Sequence, residues 1–200
     1  MRNHALLAAL VVVLIAALSA AAQAQAPSQA AAKPDAAASE ELPTLDRLFA
    51  ELKRERNERA AERIARRIQE QWLDSGSASI DLLMLWSQEA MQAEKFGAAL
   101  DFLDRVTVMQ PDFAEGWNRR ATVHFMMRNF RKSMADIERT LRLEPRHFGA
   151  LSGMGQILRE TGQKELALDA YQRVLAVYPM MRSAQGEVAS LSEDLAGEVL

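Results

Sequence analysis

Chemistry at a metal, a nucleophile or a phosphate needs particular residue types at workable spacing, and this chain offers few. Its histidines are His4, His124 and His147, and it has no cysteine. Zinc sites take ligands in short-range sets such as His-Glu-x-x-His or Cys-x-x-Cys, and the sequence contains neither. The lack of thiols also removes disulfides, thiol catalysis and a lipid-modified N-terminal cysteine. His124 falls where a buried aromatic is expected, so it should pack in the core; His147 follows Pro145 and is expected in a solvated turn. Gly153-Met154-Gly155 invites a phosphate-loop reading, but such loops join a strand to a helix. This one follows a proline-ended helix, and Gly155 stands at a close-packing place. Carboxylates are many, yet they alternate with arginine as solvated helix faces do, and no Ser/His/Asp set converges. The residues point to no catalytic site, no cofactor and no metal: a non-enzyme. A net charge of -3 lacks the basic surplus that nucleic-acid phosphates demand.

The elements that must position any binding residue are helices, and prolines mark their period. Pro111, Pro145 and Pro179 recur every 34 residues. Laying 80–113, 114–147 and 148–181 over one another aligns the apolar and small residues. The fourth place holds Leu83, Trp117 and Leu151. The eighth holds Ser87, Ala121 and Gly155, and the twentieth Ala99, Ser133 and Ala167, all small where two helices approach closely. The twenty-fourth holds Leu103, Ile137 and Tyr171, and an apolar residue (Met109, Leu143, Val177) stands two before each proline. The turn residues Arg128-Asn129 and Gly162 fall between the two helices of their repeats.

This register resembles the tetratricopeptide-repeat (TPR) family, whose pattern runs Trp-x2-Leu-Gly-x2-Tyr, then Ala-x3-Phe, then Pro. It covers residues 80–179, with local departures at Arg120, where leucine is usual, and at Ala90, His124 and Leu158, where tyrosine is. The resemblance implies an all-α, right-handed TPR solenoid of helix-turn-helix repeats with a C-terminal capping helix. It also implies a concave groove, lined by the first helix of each repeat, that holds a protein or peptide partner. By position the partner-binding residues are Met84, Gln88, Met91, Asn118, Thr122, Phe125, Ser152, Gln156 and Arg159. Asn118 resembles the asparagine that hydrogen-bonds a ligand backbone in such domains, and its amide supplies both donor and acceptor. Met84, Met91 and Phe125 form an adaptable apolar strip beside it. The carboxylate clamp of some TPR domains is not expected, because Met84 and Gln88 replace its Lys and Asn.

The flanks complete the plan. Shifting the frame back one period places a degenerate helix pair at 43–79, with stripes Leu45, Leu48, Phe49, Leu52 and Ala61, Ile64, Ala65, Ile68, Trp72. Residues 182–200 are expected to cap the solenoid, since a terminal unit needs a polar outer face. The charged run from Lys53 to Arg67 interleaves its signs and reads as a solvated, self-paired face. Residues 25–42, rich in Ala, Pro and Gln, read as a flexible linker. Residues 1–24 have the layout of a signal peptide: a basic start, a 14-residue apolar run at 5–18, then small residues offering cleavage after Ala24, or after Ala22 or Ala26. The apolar run is shorter than the roughly 20 residues of a spanning helix. A mature chain without an integral span, in the bacterial periplasm, is the expectation, with a signal anchor in the inner membrane as the alternative. Function reads as a non-catalytic periplasmic scaffold or adaptor; the alternative is a self-associating structural module of the envelope, a homo-oligomer.

Overall fold

A computed structural model describes residues 44–198. Among them are nine α-helices and no strand: α1 (Thr44–Arg54), α2 (Glu58–Leu73), α3 (Ala78–Gln92), α4 (Phe96–Met109), α5 (Ala114–Met126), α6 (Phe130–Leu143), α7 (Phe148–Glu160), α8 (Lys164–Val177) and α9 (Arg182–Glu198). No described helix is long and apolar enough to cross a membrane. The residues expected of the signal peptide and linker lie outside the described range.

The 34-residue period is written into the backbone. Helices α3, α5 and α7 each end in the same left-handed turn, at Glu94 (φ 55), Arg128 (φ 57) and Gly162 (φ 76). At each turn the next amide reaches back to close the helix: Lys95 to Ala90, Asn129 to His124 and Gln163 to Leu158, all at 2.8 Å. This is a Schellman-type cap, which satisfies terminal carbonyls. A non-glycine residue in that conformation costs on the order of 1 kcal/mol, and two of the three turns accept the strain. The pairs α3–α4, α5–α6 and α7–α8 then close over the small residues. Ser87, Ala121 and Gly155 are buried, and a Cβ on Gly155 would stand 2.8 Å from Cε2 of Tyr171. Successive pairs approach as tightly: a Cβ on Gly116 would meet Val106 Cγ1 at 2.7 Å.

The pair α1–α2 forms, but it does not stand in line ahead of α3, as the shifted repeat frame expects. Leu48, Phe49 and Leu52 of α1 and Ala61, Ala65 and Ile68 of α2 share one core with Phe148, Leu151, Tyr171, Val174, Tyr178 and Leu191. The core around α3 and α4 contains no residue earlier than Ile80. Ion pairs fix the arrangement: Asp46 with Arg146 at 2.6 Å and Glu58 with Arg182 at 2.9 Å. Arg146 also lies over the Phe49 ring, 4.1 Å from its centroid. Helix α2, about 24 Å long at 1.5 Å per residue, therefore starts beside the first residue of α9. It ends against the first residue of α7, where Trp72 meets Phe148 with ring centroids 4.9 Å apart. It is a strut across the N-terminal ends of α5, α7 and α9. The physical reason lies at the third place of each repeat. Gly116 and Ala150 there are small and buried, whereas the bulkier Leu82 in α3 is 43% exposed, with no described helix laid over it.

Two further expectations are revised. His147 is not solvated; it is 2% exposed. Its Nδ1 accepts from the Ala150 amide at 3.0 Å, capping α7, and its ring stacks on Trp72 at 4.0 Å. Arg120 is no mere departure from leucine. Its guanidinium donates to Asp136 through Nε (2.9 Å) and Nη2 (2.7 Å), and through Nη1 to Asp104 (2.8 Å) and Thr107 (3.0 Å). A polar cluster thus joins α4, α5 and α6, with His124 packed beside it.

Candidate binding groove

The inner helices α3, α5 and α7 present three cavities that meet at Asn118. One, of about 200 Å³, runs between α5 and α7 and is lined by Asn118, Thr122, Phe125, Ser152 and Gln156 with Ile137 and Ala150 behind them. A second, of about 430 Å³, opens between α3 and α5 and is lined by Gln88, Met91, Asn118, Arg119, Thr122 and Met126. A third, of about 290 Å³, is walled on one side by Gln69, Trp72 and Leu73 of α2 and on the other by Glu115, Asn118, Arg119 and His147.

Local bonding sets what these walls can offer. Glu115, in the first turn of α5, accepts from Asn118 Nδ2 (3.0 Å), Arg119 Nε (3.1 Å) and His147 Nε2 (3.1 Å). Because His147 Nδ1 is taken by the Ala150 amide, its Nε2 carries the proton and donates. Burial works to raise the Glu115 carboxyl, but the hydrogen bond from His147, with the charge and hydrogen bond of Arg119, outweighs it and holds the group below its ordinary value. The carboxylate is thus a fixed anchor that orients the groove floor. Asn118 gives one side-chain amide hydrogen to it and keeps its side-chain Oδ1 for the cavities. Arg119 Nη1 is held by Gln88 at 3.0 Å. The hydroxyls of Thr122 and Ser152 donate to the carbonyls of Asn118 (3.0 Å) and Phe148 (2.8 Å) in their own helices, so neither is poised against a base. The floor can exchange hydrogen bonds and bury an apolar side chain beside Phe125 and Ile137.

Of the nine residues the repeat register assigns to the groove, seven line the first two cavities: Gln88, Met91, Asn118, Thr122, Phe125, Ser152 and Gln156. Two do not. Met84 is 4% exposed and belongs to the core around Ile80, Leu83 and Val123; its long flexible thioether folds inward where the equivalent Asn118 and Ser152 cannot. Arg159 is paired with Glu187 of α9, away from these cavities. Sequence reasoning missed the wall from α2. Its one signal was Trp72, a large aromatic closing an apolar stripe.

Helix pairs on this period, with an inner groove, define a TPR solenoid, and the chain belongs to the TPR family. A TPR repeat-containing protein of Rhizobium etli is 53% identical over 161 residues, covering 80% of this chain and 79% of that protein. Among solved structures, the first TPR of Spaghetti (RPAP3) bound to the HSP90 peptide SRMEEVD superposes with a TM-score of 0.57 at 22% identity, covering 60% of this chain and 95% of that one. The TPR2B domain of yeast Sti1, in complex with pHsp70, gives 0.55 at 15% identity, covering 59% and 99%. At those identities the likeness is one of fold. No family model matches the chain.

Proposed function

We propose that the chain is an exported, non-catalytic adaptor of the periplasm that holds a peptide segment of a partner protein across α5, between α3 and α7. The observation that carries this reading is the meeting of three cavities at Asn118, with an apolar recess on one side and amide and hydroxyl groups on the other. A peptide presents both features at once: a side chain to bury and backbone amides that need partners. Two of the similar solved structures hold an HSP90 peptide and a pHsp70 complex, respectively. Recognition here takes another form, because Arg119 is tied to Glu115 and Gln88, and Arg159 to Glu187. The anchor is apolar, not a terminal carboxylate. Export rests on the basic, apolar and small-residue segments of residues 1–24.

The test uses the chain from residue 25 onward, mixed with an envelope extract. A partner should co-purify reproducibly, and replacing both Asn118 and Phe125 with Ala should weaken its binding at least ~10-fold, as loss of an anchor worth over 1 kcal/mol requires. If nothing co-purifies and the double variant is silent in cells, the reading fails.

A further inference from the structure

We propose that the outer face of α3–α4 is a contact by which two copies of this chain pair about a two-fold axis. Leu82, Leu85 and Trp86 lie three and four residues apart on one face of α3 and are 43%, 50% and 42% exposed. The Trp86 ring sits 5.6 Å from that of Phe102 on α4, and Met109, at the end of α4, is 60% exposed. Helical spacing merges these into one apolar end face.

In the later repeats the equivalent face is covered by the helix before it. Gly116 is pressed against Val106 of α4, and Ala150 is 1% exposed. The first repeat has no such cover, because α2 is diverted to the C-terminal core. The face is thus the uncovered first member of a series of established interfaces.

The occupant follows from the other end of the solenoid. Among the described residues, the exposed side of α9 carries Ser192, Glu193 and Asp194 and no large exposed hydrophobic residue, so that surface of one copy offers no apolar match to another's head. The same face of a second copy is complementary, which gives a closed, isologous pair. The face is roughly 22 Å long and 20 Å wide, from 1.5 Å rise per residue and 10 Å helix spacing. Two such footprints, with their side-chain relief, bury about 1,000 Å², the lower edge of a specific interface. A weak, concentration-dependent dimer is the consequence. It would set two grooves side by side in one assembly, and a partner carrying two peptide segments would gain avidity.

Sedimentation equilibrium of the chain from residue 25, between about 1 and 300 μM, is the test, and its outcome does not depend on the groove reading. The expected result is a concentration-dependent monomer–dimer equilibrium within that span. It should shift at least ~10-fold toward monomer in Leu85→Glu and in Leu82→Glu, with helicity and melting retained, since desolvating a charge opposes association. Asn118→Ala should leave it unchanged. A monomer at every concentration, open-ended growth beyond dimer, or a dimer indifferent to both charges would overturn the proposal.

Discussion

Asp136→Ala should cost the fold about 3–5 kcal/mol, the range for breaking a buried ion pair from one side. Asp136 is 5% exposed and accepts both forks of the Arg120 guanidinium. Without it the cation keeps Thr107 and the outer carboxylate Asp104, whose side chain is 62% exposed and well screened. Chemical denaturation reads the loss. Replacing Arg120 and Asp136 together with leucine should restore most of it, because the repeat pattern expects an apolar residue at the arginine's place and two apolar residues leave no orphaned charge. The same cluster gives stability a pH dependence. Burial pushes the His124 imidazole below its ordinary value of 6.5, with the Asp136 charge opposing in part, and its buried Nδ1 meets no partner among the described residues. The unfolded chain therefore takes up a proton near 6.5 while the folded one resists. This contribution is complete above that value and is lost as pH falls from 6.5 through the depressed native value. His124→Phe should flatten that part of the profile.

Leu52→Ala should cost about 2–5 kcal/mol, as a large-to-small change does in a close-packed core. Leu52 is fully buried, and its core is shared with α7, α8 and α9. Where the loss appears matters as much as its size. Amide exchange should accelerate in α8 and α9 and change little in α3. An in-line first repeat would give the reverse, with α3 and α4 losing protection. The Trp72 indole nitrogen is buried and meets no acceptor among the described residues; a donor left unmet costs about 1–3 kcal/mol.

Much of this architecture is legible in the sequence because a repeat displays its constraints several times over. The prolines give the period, and the small residues at Ser87, Ala121 and Gly155 mark where helices touch. Those two signals suffice for the inner helices and for the seven groove residues that follow from register. What periodicity cannot convey is which partner an apolar stripe chooses. The stripe of α2 is equally suited to α3 or to the C-terminal core, and only the bulk of Leu82 at a glycine or alanine place distinguishes them. His147 was obscured for the same reason, since a turn residue looks solvated until another element is laid over it. The sequence marks Arg120 only as a departure from leucine and does not join it to Asp136 and Asp104, because their pairing spans three helices and follows no helical spacing. Met84 and Arg159 show the limit of register itself: equivalent backbone places do not bind equivalent side chains to the same surface.

If the proposed peptide lies on the inner surface at Asn118, site-specific photocrosslinking in intact cells finds it there. A photoreactive residue at Thr122 on the groove floor, and another at Gln88 on its wall, should each capture the same protein through one short segment. The same group at Val108, which is 80% exposed and lies on the opposite side of α4 from its core, should not capture that protein. Adducts from Val108 with none from Thr122 or Gln88 would contradict the account and move the partner to the convex surface.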